Sequence, residues 1–251
     1  MSFVDKVALV TGASSGIGAA TAILFAKEGA CVALVARNEV KLNNVLEQCE
    51  KYSKKHLIII ADISNDEDVI NVVKKTIDSF GKLDVLVNNA GICRFTSILE
   101  ENLMKVYDET VNTNLRAHVY ITNLAAPHLI KTKGSIVNIS STAGSSISMS
   151  SRMLPYFISK AALDQFSRGV ALELAQYGVR VNTISPGPVK TDILENSNAP
   201  ITVDSFKQMT ALDRVAEPEE IAELILYLSS DKAKSITGSN YVSDNGYLLK
   251  H

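Results

Sequence analysis

Short, almost uninterrupted apolar runs alternate with longer amphipathic stretches along the whole chain. The runs Val7–Val10, Val32–Val35, Leu57–Ile60, Val85–Val87, Ile136–Ile139, Val179–Ile184 and Tyr241–Val242 are rich in β-branched residues and predict seven strands. The first five are nearly continuous, as expected of strands covered on both faces of a parallel sheet. Apolar residues at helical spacing predict helices over Ala19–Glu28, Val40–Lys51, Asp66–Phe80, Leu103–Leu129, Tyr156–Gln176 and Pro218–Leu228. Several ends are marked. Ser64-Asn65-Asp66-Glu67 offers a capping residue with an acid three positions on. Gly29, Gly81 and Gly178 stand where a left-handed terminus is wanted, and Pro218 beside Glu217, Glu219 and Glu220 marks a helix start. Right-handed β-α-β crossovers would place helices on both faces of a seven-stranded, doubly wound parallel sheet, an α/β fold occupying residues 1–251 as one domain.

Two segments break the alternation: serine-rich 141–155, and 190–212 after the sixth strand. Both follow strand carboxyl ends, where open α/β sheets bind ligands. Composition narrows the class further. The 251 residues are 46% hydrophobic and 21% charged, with a formal charge of −2, so there is no basic field for nucleic acid. Cys31, Cys49 and Cys93 show no paired spacing and no histidine at metal-ligand distance, which favours reduced thiols and a cytoplasmic setting. Met1–Lys6 lacks signal-peptide architecture, and no apolar run approaches the roughly 20 residues of a membrane span.

The strongest chemical signal is Thr11-Gly12-Ala13-Ser14-Ser15-Gly16-Ile17-Gly18, between the first strand and the first helix. A strand that ends in glycines and restarts as a helix turns free N–H groups and the positive end of a dipole outward, toward a pyrophosphate. That makes the fold Rossmann-type, a dinucleotide-binding sheet. Tyr156 and Lys160 lie four apart, on one helical face. An ammonium about 4 Å from a phenol, at an effective dielectric of about 20, favours the phenolate by about 4 kcal/mol. Unopposed, that lowers the tyrosine pKa by roughly 3, into the range of a general acid or base. Ser141, just after the fifth strand, is placed to hydrogen-bond a substrate oxygen.

With these motifs the chain resembles the short-chain dehydrogenase/reductase family over nearly its whole length. The resemblance rests on Thr11–Gly18, Asp62-Ile63, Asn88-Asn89-Ala90-Gly91, Asn114, Asn138-Ile139-Ser140-Ser141, Tyr156-x-x-x-Lys160 and Asn182-x-x-x-Pro186-Gly187-Pro188-Val189-x-Thr191. It implies a catalytic set of Asn114, Ser141, Tyr156 and Lys160. Tyr156 exchanges the proton, and Lys160 tunes it and holds the nicotinamide ribose. Ser141 polarises the substrate oxygen, and Asn114 positions a relay water. It further implies that Gly12, Ser14, Ser15, Gly16, Ile17 and Gly18 cradle the diphosphate. Asp62 and Ile63 meet the adenine, Asn89, Ala90 and Gly91 the adenosine side, and Pro186, Gly187, Val189 and Thr191 the carboxamide. Ser141 is preferred to Ser140 through the family's Ser-x-x-Gly pattern, and Asn114-Leu115 fits better than Asn112. Tyr156 follows Ser141 by fifteen positions, slightly more than is usual, which enlarges a substrate-side loop.

The second strand ends Val35-Ala36-Arg37-Asn38. Ala36 stands where NAD-using relatives carry an acid, and Arg37 offers a planar fork to a 2′-phosphate, so NADP(H) is expected, with NAD(H) the alternative. Ile147, Met149, Met153, Leu154, Ile193, Leu194, Ile201, Phe206 and Met209 predict a small apolar carbonyl or alcohol substrate. The helix 156–176 is apolar on more than one side, and in the family it helps form a dimer interface, so a homodimer or homotetramer is expected. His56, His118 and His128 read as surface or satisfied helix residues, and Cys93 as packing. Asn245 departs from the family's Asp-Gly-Gly, a change that asparagine's tolerance of left-handed backbone accommodates.

Overall fold

Alternation along each strand builds two cores. The computed structural model, which describes residues 3–52, 55–147, 150–197 and 202–250, shows β1 (Val7–Thr11) between β2 (Cys31–Ala36) and β4 (Val85–Asn88). Leu9 stands opposite Ala33 on one side and Leu86 on the other. With β3 (His56–Ile60), β5 (Ser135–Ile139), β6 (Arg180–Pro186) and β7 (Asn240–Ser243), the seven strands pair in parallel in the order β3-β2-β1-β4-β5-β6-β7. Ala8 and Val10 point to a layer formed by α1 (Gly16–Lys27), α2 (Glu39–Cys49) and α7 (Pro218–Ser229), joining Phe25, Leu42 and Ile225. Val7 and Leu9 point the other way, to Val72, Ile121 and Ala171 of α3 (Asp66–Phe80), α5 (Ala117–Thr132) and α6 (Leu154–Leu174). Each large apolar side chain so buried is worth about 1.5–3 kcal/mol.

At the amino ends of the strands, the buried Asp84 carboxylate accepts from Val7 N at 2.9 Å and faces Lys6 at 3.2 Å and Lys82 at 3.1 Å. Its main chain continues the fixture: Ser135 N donates to Asp84 O at 2.9 Å. At the opposite ends, the chain leaves β1 for β2 on one side and returns to β4 on the other. That reversal opens a crevice.

Gly81 and Gly178 take the expected left-handed conformation, with φ of 76° at both, and Asn245 does likewise at 53°. Four details differ from expectation. The helix predicted over Leu103–Leu129 is α4 (Leu103–Val111), a π turn at Asn112–Arg116 and then α5, because Asn114 in that turn is held by bonds to the Ile92 backbone after β4. β3 is an edge strand, so Ile60 is half exposed instead of covered on both faces. Asn65, not Ser64, caps α3, accepting from the amides of Glu67 and Asp68, while Ser64 bonds to Asp62. A short unpredicted helix, α8 (Tyr247–Lys250), buries Tyr247 completely.

Candidate active site

The crevice widens into a cleft of about 490 Å³ along the carboxyl ends of β1, β2, β4, β5 and β6. Its floor is the glycine turn. Gly12 has φ of +68°, and a Cβ there would lie 2.8 Å from Asn89 Nδ2 and 2.9 Å from Ala90 Cα. A Cβ on Gly18 would lie 2.2 Å from Gly12 O, so only glycine lets α1 cross the turn this closely. Gly18 therefore lies beneath the cleft, while Gly12, Ser14, Ser15, Gly16 and Ile17 line it. The Ser15 side chain makes no capping bond, and the first turn of α1 holds no acid. The helix's leading N–H groups and dipole thus address the cleft, an arrangement suited to a diphosphate. The residues present fit a dinucleotide.

The turn after β4 is clamped from three sides. Thr11 Oγ1 accepts from Asn89 N at 3.0 Å and Ala90 N at 3.1 Å. Asn89 Nδ2 donates back to Thr11 O at 2.9 Å. His118 Nε2 lies 2.8 Å from Ala90 O. A carbonyl only accepts, so Nε2 carries a proton. His118 is fully buried, and burial together with the Lys160 charge pulls its pKa down to about 3. Sequence reasoning did not single out His118 or the Thr11 hydroxyl for this clamp. Asn114, in the π turn, accepts from Ile92 N at 2.8 Å and donates to Ile92 O at 2.8 Å and Ser159 Oγ at 3.1 Å. It stands behind the cleft wall and does not line it.

Tyr156 and Lys160 enter from the first turns of α6, and Ser141 from just beyond β5. Ser141 Oγ accepts from Ala143 N at 3.1 Å, and Ser141 and Tyr156 line the same wall of the cleft. Lys160 Nζ donates to Ile139 O at 2.8 Å and lies 5.7 Å from the centre of the Tyr156 ring. The expected lowering of the tyrosine pKa is not found. Burial pushes the phenol above its ordinary value, Cys93 adds to the push, and only the Ser141 hydroxyl opposes it. Lys160 itself is drawn down to about 8 by burial, with Asp164 resisting. Desolvation of both buried groups outweighs the attraction of their charges.

Arg37, Asn38, Asp62, Ile63, Asn89, Ala90, Gly91, Pro186, Gly187, Val189 and Thr191 all line the cleft. Arg37 Nη1 lies 3.6 Å from Asp62 Oδ2. Burial favours a neutral Asp62, yet bonds from Ser64 and the Arg37 charge hold its carboxyl below the usual range. Asn38 caps α2 by accepting from Lys41 N at 2.9 Å, and Lys41 Nζ meets Asp192 at 2.6 Å across the cleft. Lys41, Asp192 and Arg94 also line the cleft and were not anticipated. Of the apolar substrate-side residues, Met153, Ile193, Leu194 and Phe206 line it. Ile147 projects into solvent, and Leu154 and Met209 stand off the wall. Met149 and Ile201 lie outside the described residues.

Fold and cleft together define a doubly wound dinucleotide-binding protein whose ligands sit over the carboxyl edge of the sheet. Residues 12–248 match the family described as enoyl-(acyl carrier protein) reductase. The chain is 36% identical to an A-factor type γ-butyrolactone 1′-reductase of Streptomyces virginiae, over 98% of this chain and 96% of that protein. It superposes with a TM-score of 0.93 on a Caenorhabditis elegans short-chain dehydrogenase/reductase solved with cofactor, at 34% identity, covering 100% and 98% of the two chains. A Burkholderia cenocepacia short-chain dehydrogenase in complex with NADP matches with a TM-score of 0.91 and 32% identity, covering 99% and 100%. The chain belongs to the short-chain dehydrogenase/reductase family. It is an oxidoreductase of that family, which binds a nicotinamide cofactor and acts on small carbonyl or alcohol compounds. Among the described residues, no helix is long and apolar enough to cross a membrane.

Proposed function

We propose that the protein is an NADP(H)-dependent reductase that interconverts a ketone and a secondary alcohol on a largely apolar substrate. The observation that carries this reading is the buried Tyr156 phenol on the cleft wall, with Ser141 lining the same wall and the Lys160 ammonium 5.7 Å from the ring. A nicotinamide dinucleotide, when bound, supplies or accepts the hydride. Tyr156 delivers the proton to the carbonyl oxygen, which Ser141 holds and polarises. A phenol kept protonated through neutral pH is in the donor form that carbonyl reduction requires. Lys160 would orient the ribose hydroxyls, and its ammonium stabilises the phenolate left when Tyr156 gives its proton to the substrate oxygen. Asn114 fixes the Ile92 peptide and the Ser159 hydroxyl behind this pair.

Arg37 and Asn38 at the end of β2, with no acid at Ala36, support NADP(H). The Arg37–Asp62 pair favours a second reading, NAD(H), because Asp62 already engages that cation. A homodimer or homotetramer belongs to the same proposal. It is supported by exposed Ile158 and Leu172, fourteen residues apart and thus on one face of α6. A cytoplasmic setting is supported by three free cysteines. The deciding experiment follows NADPH absorbance against a panel of ketones, for the wild type and Tyr156→Phe. The variant is expected to bind NADPH and lose turnover by at least about a hundred-fold. Near-normal turnover would remove Tyr156 from the proton step.

A further inference from the structure

The charges lining the cleft do not balance evenly. Arg37 faces Asp62 and Lys41 faces Asp192, so both cations of the adenosine end have carboxylate partners. Lys160 has Asp164 one turn further along α6, raising its pKa against burial. Among the described residues, Arg94 has no carboxylate within ion-pair distance. It follows Cys93, which packs against Tyr156, and it shares its side of the cleft with Met153 and Ile193.

Its guanidinium is held in place. Nη1 donates to Cys93 O at 3.0 Å and to Asn196 O at 3.0 Å, bridging the loop after β4 and the segment after β6. Both acceptors are neutral, and an arginine has five N–H donors in a rigid fork. A half-buried cation, fixed by carbonyls and lining the cleft together with the apolar Met153, Ile193, Leu194 and Phe206, attracts an anion strongly. One guanidinium balances a monoanion, which points to a carboxylate in preference to a doubly charged phosphate.

We propose that Arg94 is an anion-recognition point of the substrate site, and that the preferred substrates are oxo acids: an apolar body carrying both the reacting ketone and a carboxylate. This rests on the ketone-reductase reading and names its substrate class. The competing role for Arg94 is a staple between two loops, which would affect all substrates alike.

The test compares a medium-chain oxo acid with its methyl ester, which has the same ketone and skeleton without the charge. In the wild type, kcat/KM for the acid should exceed that for the ester. The acid-to-ester ratio should fall about ten- to hundred-fold in Arg94→Gln and be partly retained in Arg94→Lys. A ratio unchanged by Arg94→Gln would overturn the proposal while leaving the reductase reading intact. If neither compound is turned over, calorimetry of both with the wild type and Arg94→Gln still reads the guanidinium. Acid binding that is tighter only in the wild type supports the proposal, and equal binding of acid and ester overturns it.

Discussion

Lys160 shows how a backbone acceptor redirects a charge that sequence spacing aims elsewhere. Spacing puts its ammonium on the Tyr156 face of the helix, but not the Ile139 carbonyl that engages it at 2.8 Å. His118 has a related history, because nothing in Arg116-Ala117-His118-Val119 marks it as fully buried. Its folded pKa of about 3 lies below the ordinary histidine value, so between those limits the unfolded chain binds a proton that the folded chain refuses. Stability contributed by the neutral ring is complete above about pH 6.5 and is lost as pH falls. Replacing it by His118→Gln, which keeps a donor for Ala90 O, should reduce the stability lost between pH 7 and pH 4.5 by about 2–3 kcal/mol. Urea unfolding at the two pH values measures this, and equal losses in both proteins would contradict it. Arg37 lines the cleft as expected, yet its pairing with Asp62 was not legible, since that contact joins the ends of neighbouring strands. Arg37→Asp should move cofactor preference toward NADH by about ten-fold or more in the Kd ratio. An unchanged ratio would take Arg37 out of cofactor selection.

The glycine turn and the π turn mark what periodicity can and cannot reveal about elements. Apolar runs located all seven strands: burial on both faces leaves a plain record in the central ones, and the edge strands β3 and β7 still carry β-branched or aromatic residues. It placed one helix across residues 103–129 because one extra residue in a turn barely disturbs a helical pattern, whereas the Asn114 bonds to Ile92 that hold it are tertiary. The turn at Gly12 was legible for the opposite reason: its geometry excludes other residues. Gly12→Ala adds a Cβ where φ is +68° and Asn89 and Ala90 already press. It should lower unfolding stability by about 1–3 kcal/mol and dinucleotide affinity by at least about ten-fold. Urea unfolding and a titration monitored by NADPH fluorescence give both values, and wild-type results would refute the packing argument. The Lys41–Asp192 pair was beyond reach of the sequence, being 151 positions apart and dependent on how the segment after β6 folds back.

The assembled sheet arranges these parts so that almost every candidate site residue sits along its carboxyl edge. Its order, with the reversal between β1 and β4, brings loops distant in sequence to one cleft. Exposed Leu172 and Ile158 on α6 leave an apolar face that a second copy would cover. Light scattering at micromolar concentration should report a dimer or tetramer, and charged replacement Leu172→Glu should shift the population toward monomer. A wild-type monomer would rule out that interface.

The Asp84 fixture stands at the far edge, where its carboxylate joins Val7, Lys6 and Lys82. Five-residue strands put roughly 16 Å between that anchor and the carboxyl edge that floors the cleft. Thermal resilience and substrate range are consequently adjustable by separate sets of substitutions, and loops on the ligand rim are free to diversify while the anchored edge keeps the strands in register.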